Sequence, residues 1–119
     1  MARLTREHSI GIPTVLMADT APTDGCHVVT VDQRMGGRMA TEHLVGRGCR
    51  TVAHISGPLD WFDARERISG WRDALVDAGL PVPEVIVGDW SAESGYAAAQ
   101  RMLDEGALPD AVFCGNDAI

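Results

Sequence analysis

Polar and aromatic side chains collect in three short segments, each of which follows a predicted β-strand. The segments cover residues 56–63, 89–94 and 115–117. In an open parallel sheet, ligands bind outside the carboxyl ends of the strands, so these segments predict a binding site. An aromatic face, together with guanidinium, amide and carboxylate groups for hydroxyls, suits a sugar or another polyol. The segments and the helix after the first of them supply Asp60, Trp61, Asp63, Arg67, Asp89, Trp90, Ser91, Asn116 and Asp117.

Each candidate also has a structural explanation that needs no ligand. Arg67 can pair with a neighbouring carboxylate on a solvated helix face. Trp90 follows a strand rather than lying on a helical stripe, so its pattern favours a core position and a ligand position about equally. Trp61 can be an ordinary loop aromatic, and Asn116 and Asp117 can begin the next helix or turn. The residue patterns therefore leave both interpretations open.

Motifs for catalysis and for metal or phosphate binding are lacking in the sequence. The four histidines form no HExxH motif and no close pair with a cysteine, which counts against a metal site. No glycine belongs to a nucleophile elbow, a P-loop or a dinucleotide fingerprint. Cys26, Cys49 and Cys114 are widely spaced and predict reduced thiols. We therefore expect no enzyme, no metal and no cofactor.

Short runs rich in β-branched residues alternate with amphipathic stretches, which is typical of βαβ units around a parallel sheet. The third run has a nearly continuous apolar character, which predicts burial on both faces. The sequence thus predicts an α/β fold. The predicted strands cover residues 14–18, 27–31, 51–56, 84–89 and 111–115.

Helix signals lie between these strands. The first helix is predicted to open at the glycine pair 36–37. The second is predicted to begin at Asp63, as an N-cap, with Glu66 completing a capping box. Ser91 is predicted to cap the third. The apolar stripe of the second helix comprises Ala64, Ile68, Trp71, Leu75 and Ala78, and that of the third comprises Gly95, Ala98, Ala99, Met102 and Leu103.

The composition is that of a globular protein. The chain has 119 residues, with 17 acidic and 10 basic side chains, so the formal net charge is −7. This sign opposes binding to a phosphate backbone, so we do not expect this segment to bind DNA. The chain has neither a long apolar run nor the features of a signal peptide, so we expect a cytoplasmic protein that does not engage the membrane.

Three motifs, taken in order, resemble the LacI/GalR family of bacterial transcription repressors. The first is GPL at residues 57–59 followed by ARERISGW at 64–71. The second is GDWSAESG at 88–95, and the third is AVFCGNDA at 111–118. With further matches in the first helix, the resemblance extends from about Gly11 to the end of the chain.

This resemblance implies a periplasmic-binding-protein-like core, in which two doubly wound subdomains close on a sugar effector. It assigns residues 1–31 to the end of the N-terminal subdomain and residues 32–119 to the first part of the C-terminal subdomain, incomplete at both ends. It also implies that Arg67 holds sugar hydroxyls, that Trp90 stacks on the sugar ring and that Asn116 hydrogen-bonds a hydroxyl.

The remaining family positions are matched less closely. Asp63 stands where relatives often carry a small Ser or Asn, and Asp117 is a further candidate contact. A family carboxylate near the end of the first strand is matched only loosely, since Ala18 rather than Asp19 is in register. The resemblance implies a homodimer that reaches operator DNA through an N-terminal domain outside this chain. We expect the chain by itself neither to repress nor to bind sugar tightly.

Two other functions compete with this interpretation. A solute-binding protein of a sugar transport system would share the fold, and the lack of a secretion signal counts against it. A small α/β enzyme would need a nucleophile, metal or phosphate motif that the sequence does not contain. A helix-turn-helix upstream would identify the repressor, whereas a signal peptide would identify the transport protein.

Overall fold

The strands pair in parallel throughout the described residues, which are 15–17, 27–106 and 108–116 of the computed structural model. The chain divides into two units, Met1–Asp32 and Gln33–Ile119. In the first unit, β1 (Val15–Met17) lies beside β2 (His27–Val29), with Val15 opposite His27. That residues 1–31 are the end of one subdomain and residues 32–119 the first part of another stays a prediction.

The sheet of the second unit contains β3 (Val52–Ser56), β4 (Ile86–Val87) and β5 (Ala111–Cys114) in the order β4-β3-β5. The central strand, β3, pairs in parallel with both neighbours. All five of its residues are buried, which confirms the prediction drawn from its apolar run. Since neighbouring side chains alternate between faces, β3 contributes to two separate hydrophobic clusters.

Helices cover both faces of this sheet. They are α1 (Gln33–Gly46), α2 (Phe62–Asp77) and α3 (Ala92–Glu105). Val52 packs on one face with residues of α2, and Ala53 packs on the other with Ala98 and Met102 of α3. Parallel strands with helices on both faces are the doubly wound α/β fold that the sequence predicts.

Trp71 anchors the cluster between α2 and the sheet. Its side chain is fully buried, and its indole N–H donates to the carbonyl of Val52 at 3.0 Å. Ala64, Ile68 and Leu75 are buried with it, as the helical period predicts. Core burial of this stripe is therefore confirmed, apart from its last member.

The predicted stripes were wrong at Ala78, Ala99 and Leu103. Ala78 is exposed because it is already the C-cap of α2. On α3 the buried residues are Ala98 and Met102, whereas Ala99 and Leu103 face outwards. They lie on the side of the helix turned away from the sheet, because only a narrow face of α3 contacts it.

The helix starts differ from prediction at two places. The N-cap of α2 is Trp61, whose side chain makes no capping hydrogen bond, and Asp63 lies inside the first turn. The predicted capping box was therefore wrong, because Asp63 is not the N-cap and its carboxylate pairs with Arg67. Likewise, α1 begins at Gln33, three residues before the predicted opening. The Ser91 cap is confirmed, since its hydroxyl accepts from the Ser94 amide at 3.1 Å.

The predicted strand 84–89 was too long, since only Ile86 and Val87 are in a strand. These residues pair with the last two residues of β3 alone. Pro81 and Pro83 shortly before them have no amide hydrogen and cannot donate to a ladder.

Two glycines bring α1 and α2 into close contact. A Cβ on Gly70 would lie 2.7 Å from the amide nitrogen of Arg38 and would overlap the carbonyl of Arg34. A Cβ on Gly37 would overlap the carbonyl of Arg67 and lie 3.1 Å from its carbon atom. Each helix therefore packs against the bare backbone of the other, which fixes their relative position.

Two interhelical ion pairs lie beside this contact. Arg34 pairs with Asp73, and Arg38 pairs with Asp77, both at 2.5 Å. The side chains are partly exposed, so each pair contributes modestly to stability. Their equal spacing along both helices nonetheless matches the register that the glycine contact sets.

Candidate functional site

The carboxyl ends of β3, β4 and β5 meet at one edge of the sheet, and a glycine follows each strand. The amide of Gly88 donates to the carbonyl of Ser56 at 2.7 Å, and that of Gly115 donates to the carbonyl of Ile55 at 2.9 Å. Gly57 follows β3 directly. The three segments that the sequence marked as a binding site thus begin at the same edge.

Trp90 lies across this edge. Its φ of 72° is in the left-handed region, which a bulky residue rarely adopts. The indole lies so close to Gly57 that any Cβ there would overlap the ring, and a Cβ on Gly115 would lie 3.4 Å from it. Trp61 meets the same indole edge-on, with ring centroids 6.1 Å apart. Trp90 therefore lies over two strand ends and outside the buried clusters, as a ligand-contacting residue would.

Arg67 projects from α2 towards Trp90, with its guanidinium carbon 6.0 Å from the centroid of the indole ring. Its Nε donates to Oε1 of Gln33 at 3.0 Å, and one terminal nitrogen lies 3.5 Å from Oδ2 of Asp63. Its side chain is 19% exposed. A guanidinium held this way keeps donors free for a bound molecule, since it has five N–H groups.

Asp63 carries the negative charge that balances the charge of Arg67. Its side chain is 12% exposed, and Oδ1 accepts from the amide of Ala64 at 2.9 Å. A buried carboxylate next to a partly exposed guanidinium leaves a locally neutral, strongly polar surface. The structure therefore brings together three of the predicted residues: Asp63, Arg67 and Trp90.

The remaining two predicted residues follow β5. Asn116 is exposed and comes directly after Gly115, where an added Cβ would lie 3.4 Å from the Trp90 ring. Asp117 lies outside the described residues. Asn116 is thus at the predicted sheet edge, and its contact with an effector stays a prediction, as does that of Asp117.

The turn before α3 holds Trp90 in its unusual conformation. Oδ1 of Asp89 accepts from both the amide and the hydroxyl of Ser91, and the Asp89 amide donates to the Ser94 hydroxyl at 3.2 Å. The Ser91 hydrogen bonds lower the pKa of Asp89, so that it stays ionised. Asp89 and Ser91, the two neighbours of Trp90, are therefore joined by hydrogen bonds that hold the backbone of Trp90 between them.

Two buried polar groups on β3 lie behind the site. His54 and Ser56 are 0% and 1% exposed and, being two residues apart, point to the same face of the sheet. His54 Nδ1 lies 2.7 Å from the carbonyl of Phe113, so this nitrogen carries the proton and Nε2 is an acceptor. His54 Nε2 and Ser56 Oγ have no hydrogen-bond partner.

Burial holds His54 neutral. Burial lowers the pKa of His54 to about 4. The positive charge of Arg67 also lowers this pKa, whereas the hydrogen bond to Phe113 raises it. The ring stacks on Phe113, with centroids 4.5 Å apart, and also contacts Trp71. His54 is therefore a core residue close enough to Arg67 for the guanidinium charge to affect its pKa.

Sequence reasoning missed Gln33, His54, Ser56 and the packing role of Gly57. Two polar residues at alternate positions of a buried strand were a usable signal for His54 and Ser56. No local pattern marked Gln33, because its partner lies 34 positions away along the chain.

A cavity of about 410 Å³ lies at the opposite, amino end of the sheet. Thr51 and Ala53 line it, along with Met102 of α3 and a segment around Pro83. None of the predicted effector residues contributes to it, and the carboxyl edge stays the predicted site because of the chemistry of its side chains.

Other kinds of site find no support in the described part of the chain. No group of three or more His, Cys, Asp or Glu side chains there is arranged to hold a metal ion. Cys49 and Cys114 are free thiols, and burial raises the pKa of Cys114. None of the described helices has the length and apolar character needed to cross a membrane.

Comparison with known proteins gives a consistent set of relatives. The ribose operon repressor of Escherichia coli (strain K12) is 40% identical over 111 residues, covering 91% of this chain and 33% of that protein. A complex of the transcriptional regulator CelR with cellobiose has a TM-score of 0.78 at 38% identity, covering 91% of this chain and 34% of the other. The chain spans about a third of the length of the curated relatives it matches.

The lac repressor is also similar, and the second motif with Trp90 shares its form. Its dimer bound to operator and the anti-inducer ONPF has a TM-score of 0.78 at 32% identity, covering 91% of this chain and 37% of that one. The model of the family described as periplasmic binding proteins and sugar binding domain of LacI family matches residues 1–119. Because that match covers the whole chain and agrees with the fold and the three motifs, this chain belongs to the family of periplasmic binding proteins and LacI-type sugar binding domains.

Proposed function

We propose that the chain is part of the effector-sensing core of a LacI-type transcription regulator, and that the edge around Arg67 and Trp90 binds a sugar. The observation that carries this proposal is the placement of Trp90. Its backbone is in the left-handed region, and its ring lies over the ends of β3 and β5. The partly exposed guanidinium of Arg67 lies 6.0 Å from the ring centroid. An aromatic face beside a forked donor is a surface for a sugar ring and its hydroxyls.

Charge favours a neutral polyol over an anion. Asp63 lies next to Arg67, so a phosphate or carboxylate entering here would meet a carboxylate as well as the guanidinium. Sugar hydroxyls both donate and accept, so they can use both partners at once. In this proposal Arg67 donates to hydroxyls, Asp63 accepts from one, Trp90 stacks on the ring, and Asn116 and Asp117 complete the polar rim.

The names of the relatives suggest which sugars to test. One is called a ribose operon repressor, and another was solved as a complex with cellobiose. A pentose and a glucose disaccharide differ greatly in size, yet both present hydroxyls around a ring with an apolar face. We therefore propose a sugar as the class of effector and leave its size to the binding experiment.

The link to DNA lies elsewhere in the proposed regulator. The formal charge of −7 on this chain opposes contact with phosphates. We propose that sugar binding here shifts a conformational equilibrium that alters operator affinity in a homodimer, through a separate DNA-binding domain. A regulator of this kind acts in the cytoplasm, where the operator is. A transport-linked solute-binding protein is the alternative. The relatives named as a repressor and a transcriptional regulator favour the regulator over this alternative.

The test uses the full-length protein. Its melting temperature and, by isothermal titration, its affinity are measured with ribose, cellobiose and galactose. Arg67→Lys is expected to weaken binding of the active sugar at least tenfold, because an ammonium cannot replace the planar fork. Trp90→Ala is expected to weaken it by a similar factor.

Arg72→Lys is the matched control, since Arg72 is exposed on the same helix. It should leave the affinity unchanged. The proposal fails if no sugar shifts the melting temperature, or if Arg67→Lys binds as tightly as the control.

A further inference from the structure

We infer that Gln33 is a positioning residue for Arg67, which sets the orientation of the guanidinium that receives the effector. The inference rests on the proposed function for the identity of the ligand, and on the structure for the contact itself. Oε1 of Gln33 accepts from Nε of Arg67 at 3.0 Å. Neither the family motifs nor the helical period marks Gln33 as a binding residue.

The geometry of the guanidinium explains why this contact matters. The Nε–H lies on one side of the planar group and points away from the terminal Nη1. Gln33 accepts at that edge, which the Nε–H shares with Nη2, and Oδ2 of Asp63 forms an ion pair with Nη2 at 3.5 Å. Rotation about the last side-chain bonds of Arg67 would break the hydrogen bond to Gln33 and separate the ion pair. The remaining donors are therefore presented in one fixed direction.

Gln33 can hold this position because its own backbone is well fixed. It is the first residue of α1, and α1 packs against α2 through Gly37 and Gly70. The ion pair between Arg34 and Asp73 adds a link directly next to it. The carbonyl beneath Gly37 is that of Arg67 itself, so the backbone and the side chain of this arginine both contact α1.

Gln33 also has a defined place in the chain. The division between the two units falls between Asp32 and Gln33, so Gln33 is the first residue of the second unit. Its hydrogen bond to Arg67 therefore links the start of the second unit to the candidate effector site.

The experiment compares two variants of the full-length protein. Gln33→Leu keeps most of the side-chain volume and removes the acceptor, whereas Gln33→Glu is isosteric and keeps an acceptor for the Arg67 Nε–H. Gln33→Leu is expected to weaken the affinity for the sugar found active above about tenfold, and Gln33→Glu is expected to retain it within about threefold. Gln100→Leu, the same change at an exposed position of α3, is the matched control and should leave affinity unchanged.

A second measurement needs no ligand. The Nε–H resonance of Arg67, assigned by its loss in Arg67→Lys, reports directly on the contact. We expect its exchange with solvent to be about tenfold faster in Gln33→Leu than in the wild type or in Gln33→Glu.

The outcomes separate this inference from the proposed function. If Gln33→Leu binds sugar as the wild type does while Arg67→Lys does not, the positioning role is wrong and the proposed function stands. If no sugar binds, or if Arg67→Lys binds normally, the proposed function is wrong. The Nε–H exchange of Arg67 then tests the positioning role of Gln33 without a ligand. Unchanged exchange in Gln33→Leu would then overturn the inference, and faster exchange would support it.

Discussion

The indole of Trp90 lies directly against Gly57, with no room for even a methyl group between the ring and the backbone. This contact fixes the ring at the carboxyl end of β3, and a Cβ added to Gly115 after β5 would also lie 3.4 Å from the ring. The position of the aromatic ring of the candidate site therefore depends on the lack of a side chain at Gly57.

Gly57→Ala is expected to displace the Trp90 ring, because the new Cβ would overlap it. Acrylamide quenching of tryptophan fluorescence should increase, and the affinity for a sugar effector should fall about tenfold or more. Gly115→Ala should have a smaller effect, since its Cβ would lie at an ordinary contact distance of 3.4 Å from the ring. In a Trp90→Phe background, Gly57→Ala should no longer change the fluorescence; a change that persists there would contradict the assignment to Trp90.

Gly70→Ala is expected to destabilise the protein by about 2 to 3 kcal/mol, because overpacking forces the helix backbones apart. Gly37→Ala should act in the same direction, since its Cβ would overlap a carbonyl. Gly36→Ala is the control, as it lies in the same helix with open space around it. It should stabilise the protein by about 0.5 to 1 kcal/mol through the loss of backbone entropy in the unfolded chain. Urea unfolding compares the three, and equal effects at residues 36 and 70 would rule out the close helix contact.

His54 makes stability depend on pH. Its pKa is lowered to about 4 in the folded protein, so between pH 6.5 and 4 the unfolded chain binds more protons than the folded one. Stability is therefore retained above pH 6.5 and lost as the pH falls through this window, by about 1.4 kcal/mol per pH unit at the steepest point. His54→Gln should remove this part of the pH dependence, whereas the same change at the exposed His43 should not. Identical unfolding profiles for wild type and His54→Gln between pH 4 and 6.5 would refute the prediction.

Trp71→Phe is expected to lower the free energy of unfolding by about 2 to 4 kcal/mol. It removes the donor to the Val52 carbonyl, leaves that acceptor buried and opens a small cavity. Trp61→Phe is the matched control, because Trp61 is 53% exposed, and should change stability by less than about 0.5 kcal/mol. Thermal unfolding distinguishes them, and a mild effect at Trp71 would mean that its N–H bond contributes little.

Periodic patterns predicted the parts of the fold that depend on neighbouring residues. The buried strand β3, the stripe through Trp71 and the Ser91 cap each follow from residues within one or two turns of each other. The sheet edge was also predictable, because parallel strands bring their carboxyl ends together. That is why Arg67 and Trp90 could be assigned to the same candidate binding site from the sequence.

What could not be predicted depends on residues distant in the chain. Asp63 is a local exception: it has the right type for an N-cap, but it lies inside the first turn of α2, where its carboxylate pairs with Arg67 four residues further on. Gly36 and Gly37 look alike in sequence, yet only Gly37 faces α2. The role of Gln33 depends on a contact over 34 positions, which no local period encodes.

The left-handed backbone at Trp90 sets stability against function at this one residue. A side chain in this conformation costs about 1 to 2 kcal/mol, which glycine would avoid. Selection for heat resistance alone would therefore favour glycine or asparagine at residue 90 and would discard the ring. If sugar sensing is what maintains the tryptophan, variants evolved for stability without an effector should lose their response to sugar before they lose their fold.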